Sequence, residues 1–384
     1  MLKRLVVWAC CVAGLVVVGC DSSSSSGGSG GAGGSGGSGG SGGEVRLVVT
    51  ADWLNQSLTL LDYDKLIDGE SDGPSSVVGT IDLSDWEPGP IEVEVTPDGK
   101  TAVVSVGPAF FDVGITNMLI GSPEVPEGGT LLIVDLESGE ATEVVTSDVP
   151  LGIAISADGT RAYTANYGTM NGSGDTMSVI DIAARELIEE ITFDGRPEQV
   201  ALSPDGTLGV INIAGANGGI HVFETADIEG TLSPLVATGN DPSDVTFLGD
   251  GTRVVVANSF SQDVTLVDTS DPSAPSVIGS FAVDGGFPYG VTYMPSRDQI
   301  LAPTGTGSNL VTIDVDGDLL APSEPAMLPG GAFPLTAAVD GTDSFAFVAH
   351  IADKKLSIID VESGASRAIT WLDGPGPSYV TVLP

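Results

Sequence analysis

PLGIAISADGTRAYTAN, Pro150 to Asn166, reads as a strand, an Asp-Gly turn and a second strand. The same hairpin returns as PEQVALSPDGTLGVIN from Pro197 and as PSDVTFLGDGTRVVVAN from Pro242. A proline precedes each inner strand, at Pro90, Pro150, Pro197, Pro242, Pro288, Pro334 and Pro377, and the intervals are 60, 47, 45, 46, 46 and 43 residues. Each repeat continues through a variable loop to a third strand that ends in an acid: Asp135, Asp181, Glu224, Asp268, Asp314 and Asp360. A looser fourth strand follows, such as ELIEEITF.

Four antiparallel strands at this period are the signature of a β-propeller blade. The third strands are nearly continuous apolar runs, as suits sheets covered on both faces. A β-sandwich would not repeat a four-strand unit seven times. The last repeat holds one strand, PSYVTVLP from Pro377 to Pro384. Its missing partners stand near the N-terminus: VRLVVTAD (45–52), SLTLLD (57–62) and SVVGTIDL (76–83). The expected fold is therefore all-β, a seven-bladed β-propeller whose ring is closed by a blade shared between the two ends of the chain.

The repeat resembles the YVTN-type β-propeller and, through it, the lactonase-like seven-bladed propellers. The residues that carry the likeness are the P-x-x-V/I-A-x-S-x-D-G pattern, AYTAN at 162–166, VVVAN at 254–258 and the VID-like strand ends. TLVDTSDPSAPSVIG also resembles the LVIVD repeat. The resemblance covers residues 44–384. It implies a fold more than a function, because propellers host many functions.

Residues 1–19 have the pattern of a signal peptide: Lys3 and Arg4, then an apolar run from Leu5 to Val18. VVGC, Val17 to Cys20, resembles the bacterial lipobox, which implies lipid attachment at Cys20. Residues 20–43 are a Gly/Ser-rich tether, with an r.m.s. reach of about 25 Å. These features predict a protein of the cell envelope, anchored to a bacterial membrane by lipid alone. Loss of the leader would leave Cys20 as the one cysteine, so no disulfide staples the domain.

Thirteen Lys and Arg against 52 Asp and Glu give a formal net charge of −39. That charge repels nucleic acid and anionic lipid. A hydrophobic fraction of 41% argues against disorder. A monomer without cofactor is expected.

No G-x-S-x-G, H-E-x-x-H or phosphate loop is present. The acids that end the third strands suit turns, where a carboxylate accepts nearby N–H groups. DVDGDLL begins like a calcium loop and makes Asp314, Asp316 and Asp318 the candidate metal ligands, although Leu319 stands where the loop needs glycine. Only two histidines occur, His221 and His350.

Loops on the proline side of the blades gather aromatic and polar residues in a chain that is only 5% aromatic. The candidate rim is Asp52, Trp53, Phe110, Asn166, Tyr167, Arg196, Asn258, Tyr289 and His350, with Phe111, Phe260, Phe287, Phe333 and Tyr379 nearby. The longest insertion, 107–129, falls on the same side. Two functions follow. One is a tethered, non-enzymatic binding module that takes an envelope protein, peptide or glycan on this face. The other, implied by the lactonase-like resemblance, is a sugar-lactone hydrolase or isomerase, for which Arg196, Glu198, Asp244 and His350 are the candidates.

Overall fold

The computed structural model describes residues 45–69, 73–107, 128–169, 172–371 and 376–383. Cys20, the segments 1–19 and 20–43, and Phe110 and Phe111 lie outside the described residues. Among those described, no helix is long and apolar enough to cross a membrane.

Seven antiparallel sheets carry the repeat. Blade 1 is Pro90–Val95, Thr101–Val106, Gly129–Asp135 and Ala141–Thr146. Blade 2 is Ile153–Ile155, Arg161–Thr169, Gly172–Asp181 and Glu186–Thr192. Blade 3 is Arg196–Leu202, Leu208–Ala214, Gly218–Glu224 and Val236–Gly239. Blade 4 is Pro242–Phe247, Arg253–Asn258, Asp263–Asp268 and Ser276–Ala282. Blade 5 is Thr292–Met294, Gln299–Thr304, Asn309–Asp316 and Leu319–Pro322, with Ala326–Met327 paired back onto its third strand. Blade 6 is Pro334–Val339, Phe345–His350, Lys355–Asp360 and Ser366–Ile369. Blade 7 takes its inner strand, Tyr379–Val382, from the C-terminal side and the other three, Leu47–Asp52, Ser57–Asp62 and Val77–Asp82, from the N-terminal side.

The Asp-Gly turns behave as their chemistry demands. Asp98, Asp158, Asp205 and Asp250 each accept the N–H two residues on, at 2.8–3.1 Å. The glycines that follow adopt φ near +70°, which a side chain disfavours. The third-strand acids close turns too: Asp135, Asp181 and Asp360 each accept the N–H three residues on. Asp62 makes the same bond, to the Lys65 N–H at 3.2 Å, and there it caps the one-turn helix Tyr63–Ile67.

Successive side chains of a strand point to opposite faces, and here both faces are apolar. Val103 packs toward blade 2, whereas Ala102 and Val104 pack toward blade 7. Seven apolar clusters of this kind occur among the described residues, one between each neighbouring pair of blades, including blade 7 with blade 1 and blade 6 with blade 7. Seven sheets with seven such interfaces make a closed ring. The seam is pinned by Ser378, whose Oγ donates to the Ile91 carbonyl of blade 1 at 2.7 Å.

Candidate functional site

The inner strands of blades 1 to 4 run from their prolines toward Asp-Gly turns. Glu92, Asp244 and Tyr379 each stand opposite the fifth residue of their second strand, Ser105, Ala257 and Ala51. Gln199 and Thr336 hold the same place, one residue before Val200 and Ala337, whose partners are Ile211 and Val348. Gly152 and Gly290, two residues past their prolines, complete the ring.

This ring surrounds the axis. Gln199 of blade 3 donates from Nε2 to Glu92 Oε2 of blade 1 at 2.6 Å, passing over blade 2. Blade 2 permits the crossing through Gly152, where a Cβ would collide with the Gln199 carboxamide. On the opposite side Gly290 lets blade 6 approach closely: a Cβ there would lie 2.7 Å from the Leu335 carbonyl oxygen, 3.3 Å from Thr336 Cα and 3.5 Å from Asp244 Oδ2. One layer nearer the turns, Glu94 accepts from Tyr379 OH at 3.0 Å and from Thr381 Oγ1 at 3.4 Å.

The carboxylates are anchored but not saturated. Glu92 Oε1 accepts the Ile153 N–H at 2.8 Å, and Asp244 accepts the Val291 and Val245 N–H groups at 2.7 and 2.8 Å. Each of these oxygens has one donor and keeps a second lone pair. Burial pushes Glu94 and Asp244 up to about 7. Burial, reinforced by the charge of Glu94, drives Glu92 well above the ordinary carboxylate range. The ion pairs found among the described residues all lie elsewhere.

Solvent reaches this channel from the turn end. Glu94, Ala154, Ala201, Thr246, Thr292 and Ala338, which share one level, are all partly exposed, as is Asp244. At the proline end Ile91, Leu151, Leu335 and Ile351 pack around Trp53, with Tyr167, Tyr289 and Phe333 against them. Residues from blades 1, 2, 5, 6 and 7 meet there, so the cluster lies across the axis. Trp53 is 1% exposed, and its indole N–H donates to the Gly107 carbonyl at 3.0 Å.

Beneath that cluster a second polar group gathers. The Arg196 guanidinium sits 4.8 Å above the Tyr167 ring and donates to Tyr167 OH at 3.3 Å. Tyr289 of blade 5 donates to Glu198 Oε1 of blade 3 at 3.0 Å. Burial and the neighbouring charge of Asp241 hold Glu198 well above the usual carboxylate range, with Asp244 adding to the effect and Arg196 opposing it. Of the expected rim, the structure thus brings together Tyr167, Arg196 and Tyr289 with Glu198, which feels the charge of Asp244.

Other expected rim residues stand elsewhere. Asp52, Asn166, Asn258 and His350 are fully buried, Asn166 inside its second strand and the other three at the ends of theirs, where the ladder pairs their backbones with third strands. Asp52 accepts from Thr50 and Thr59 at 2.9 and 2.5 Å. Asn166 donates to Thr176 and Ser178, and Asn258 to Asp263 and Thr265. His350 Nδ1 donates to the Gly331 carbonyl at 2.9 Å, and Nε2 accepts from Ser357 at 2.8 Å. Both ring nitrogens are engaged, and burial drops its pKa to about 4, so His350 is no base for a ligand at the axis. Trp53 closes the channel rather than facing solvent.

Asp314, Asp316 and Asp318 do not come together as metal ligands. Among the described residues no group of three or more His, Cys, Asp or Glu is placed to hold an ion. Asp314 instead accepts from Gln299 Nε2 on the neighbouring second strand at 2.6 Å, and Asp318 lies 3.9 Å from Arg253. The axial residues Glu92, Glu94, Gln199 and Thr336 were not expected from the sequence. Their available signal was a polar residue two or four places after the anchor proline, in strands that are otherwise apolar.

No protein-family model matches the sequence, and no curated protein matches it. Solved structures do resemble the fold. A periplasmic gluconolactonase of Pseudomonas aeruginosa is 18% identical, with a TM-score of 0.65 over 89% of this chain and 99% of that one. A putative 6-phosphogluconolactonase of Bacteroides fragilis is 16% identical, with a TM-score of 0.65 over 89% and 99%. A protein of Lactobacillus plantarum is 15% identical, with a TM-score of 0.67 over 88% and 99%. At such identities the likeness is one of fold: this chain shares the seven-bladed architecture of lactonase-like propellers.

Proposed function

We propose that the protein is an envelope-associated hydrolase of sugar lactones that works in the axial channel. One observation carries the reading: Glu198 is bonded to Tyr289 of blade 5, feels the charges of both Arg196 and Asp244, and Asp244 is partly exposed. Asp244, with a pKa of about 7, is suited to take a proton from water. The water oxygen then bonds to the lactone carbonyl carbon, and charge on the carbonyl oxygen faces Arg196. The ring C–O bond breaks, and the leaving oxygen takes a proton from Glu198, whose carboxyl is held well above the usual carboxylate range by burial and by the charge of Asp241. The product is an open-chain hydroxy acid. Lipid attachment at Cys20 belongs to the same proposal, supported by the VVGC motif.

The test is hydrolysis of glucono-1,5-lactone by the full-length protein, followed by pH-stat. Turnover above the spontaneous rate is expected, with a loss of about 100-fold or more in Asp244→Asn. Turnover no faster than background, or an undiminished Asp244→Asn variant, overturns the reading.

A second reading, a module that binds a partner on the proline side, is favoured by Phe260. That ring is 46% exposed and meets Phe287 edge-on at 5.5 Å. Capture of an envelope partner that is lost in Phe260→Ala, without any lactone turnover, would support it.

A further inference from the structure

We infer that the axial channel selects its ligand by charge: it takes a neutral polyhydroxylated ring and rejects the phosphorylated form of the same ring. The inference rests on the channel being the reaction site, and it adds what kind of lactone enters. Glu92, Glu94 and Asp244 line the path from the turn end, and the groups acting on Glu94 are Tyr379, Thr381 and Asp244, none of them a cation. Arg196 lies farther in and is stacked on Tyr167. Where Glu94 and Asp244 are ionised, at and above about pH 7, a phosphate dianion on this path meets like charge in a confined space, where repulsion is screened far less than in bulk water.

A neutral polyol meets the opposite. Its hydroxyls are donors, and the oxygens of Glu92, Glu94 and Asp244 each keep a lone pair to receive them. A second observation points to a ligand independently of the carboxylates. Thr336 is 8% exposed, and its Oγ1 has no hydrogen-bond partner. It occupies the same register position as Glu92, Gln199, Asp244 and Tyr379, so it is directed to the same axis. A buried hydroxyl without a partner is costly, and a ligand hydroxyl at the axis would satisfy it. After hydrolysis the product is an anion, and the same carboxylates would repel it toward the channel opening.

The experiment compares glucono-1,5-lactone with its 6-phosphate as substrates of the full-length protein. It also measures, by titration calorimetry, the binding of D-glucitol and D-glucitol 6-phosphate, which cannot be hydrolysed. The phosphorylated lactone is expected to have a kcat/KM lower by about 100-fold, and glucitol to bind where its phosphate does not. Glu94→Gln, which removes a charge and keeps a carboxamide oxygen to accept a hydroxyl, should raise kcat/KM for the phosphorylated lactone about tenfold relative to that for the neutral one. Thr336→Val, which keeps the shape and removes the hydroxyl, should weaken glucitol binding several-fold without lowering the melting temperature.

Phosphorylated ligands that react or bind as well as neutral ones overturn charge selection, and so does a failure of glucitol to bind. If neither lactone is hydrolysed while glucitol still binds in preference to its phosphate, the hydrolase reading falls and charge selection stands. A Thr336→Val variant that binds glucitol unchanged removes the hydroxyl from the argument and with it the independent support for a ligand.

Discussion

A methyl group at residue 152 would overlap the carboxamide of Gln199, and it would press on Gln199 Cα at 2.7 Å as well. The bond from Gln199 to Glu92 therefore depends on a side chain that blade 2 lacks. Gly152→Ala is expected to destabilise the protein by about 1–3 kcal/mol, through overpacking and through a buried carboxyl that loses a donor. Chemical denaturation measures it, and an unchanged midpoint would mean that the crossing bond is unimportant. At this scale the sequence was only partly legible. Arg196, Glu198 and Asp244 stood out by type and place. Glu92 was not legible as a member of the same group, because its partner Gln199 is 107 residues away and a third blade must stand aside for them to meet.

Strands and turns were the most legible elements, since each writes its own chemistry locally. SLTLLD is a strand from Ser57 to Asp62 as its pattern predicts, and the Asp-Gly pairs make turns. The ends of the second strands misled for a physical reason. An Asn at the end of an apolar run suggests a loop residue facing solvent. In blade 4 the ladder runs to its last residue, pairing Asn258 with Asp263, and this keeps the amide inside the sheet. There it joins Thr238, Asp263 and Thr265. Asn258→Ala should cost about 1–3 kcal/mol of stability by leaving these groups short of partners, while lactone turnover at 25 °C stays within about twofold of the parent. A variant as stable as the parent but inactive would return Asn258 to the site.

For the whole molecule, the axial carboxyls set a pH dependence. Glu94 and Asp244 have folded pKa values of about 7, raised by burial, so the fold holds protons that the unfolded chain releases. Their contribution is fully present below the unfolded carboxylate pKa and is lost as pH rises to about 7. His350, lowered to about 4, acts in the opposite sense: its contribution is present above the unfolded histidine pKa and is lost as pH falls toward 4. The carboxyls outnumber it, so the melting temperature should be highest on the acidic side of neutrality and fall between about pH 5 and 8. Glu94→Gln should flatten that decline. A melting temperature that is level or rising across this range would mean that the axis accommodates its charges without strain. The ring itself was legible from the period of the prolines, and its closure from the single strand left over at one end.

That closure has a mechanical side. Leu47–Asp52 is not an edge strand: Tyr379–Val382 pairs with it on one flank and Ser57–Asp62 on the other. A pull transmitted through the residues that precede it is shared at once by two ladders. Drawn along its length, the strand can leave only by shearing both sets of hydrogen bonds together, whereas an edge strand pulled sideways unzips one bond at a time. Under the anchorage at Cys20 proposed above, drag on the domain would load the strongest direction of the sheet, and the propeller would resist being unravelled from that side.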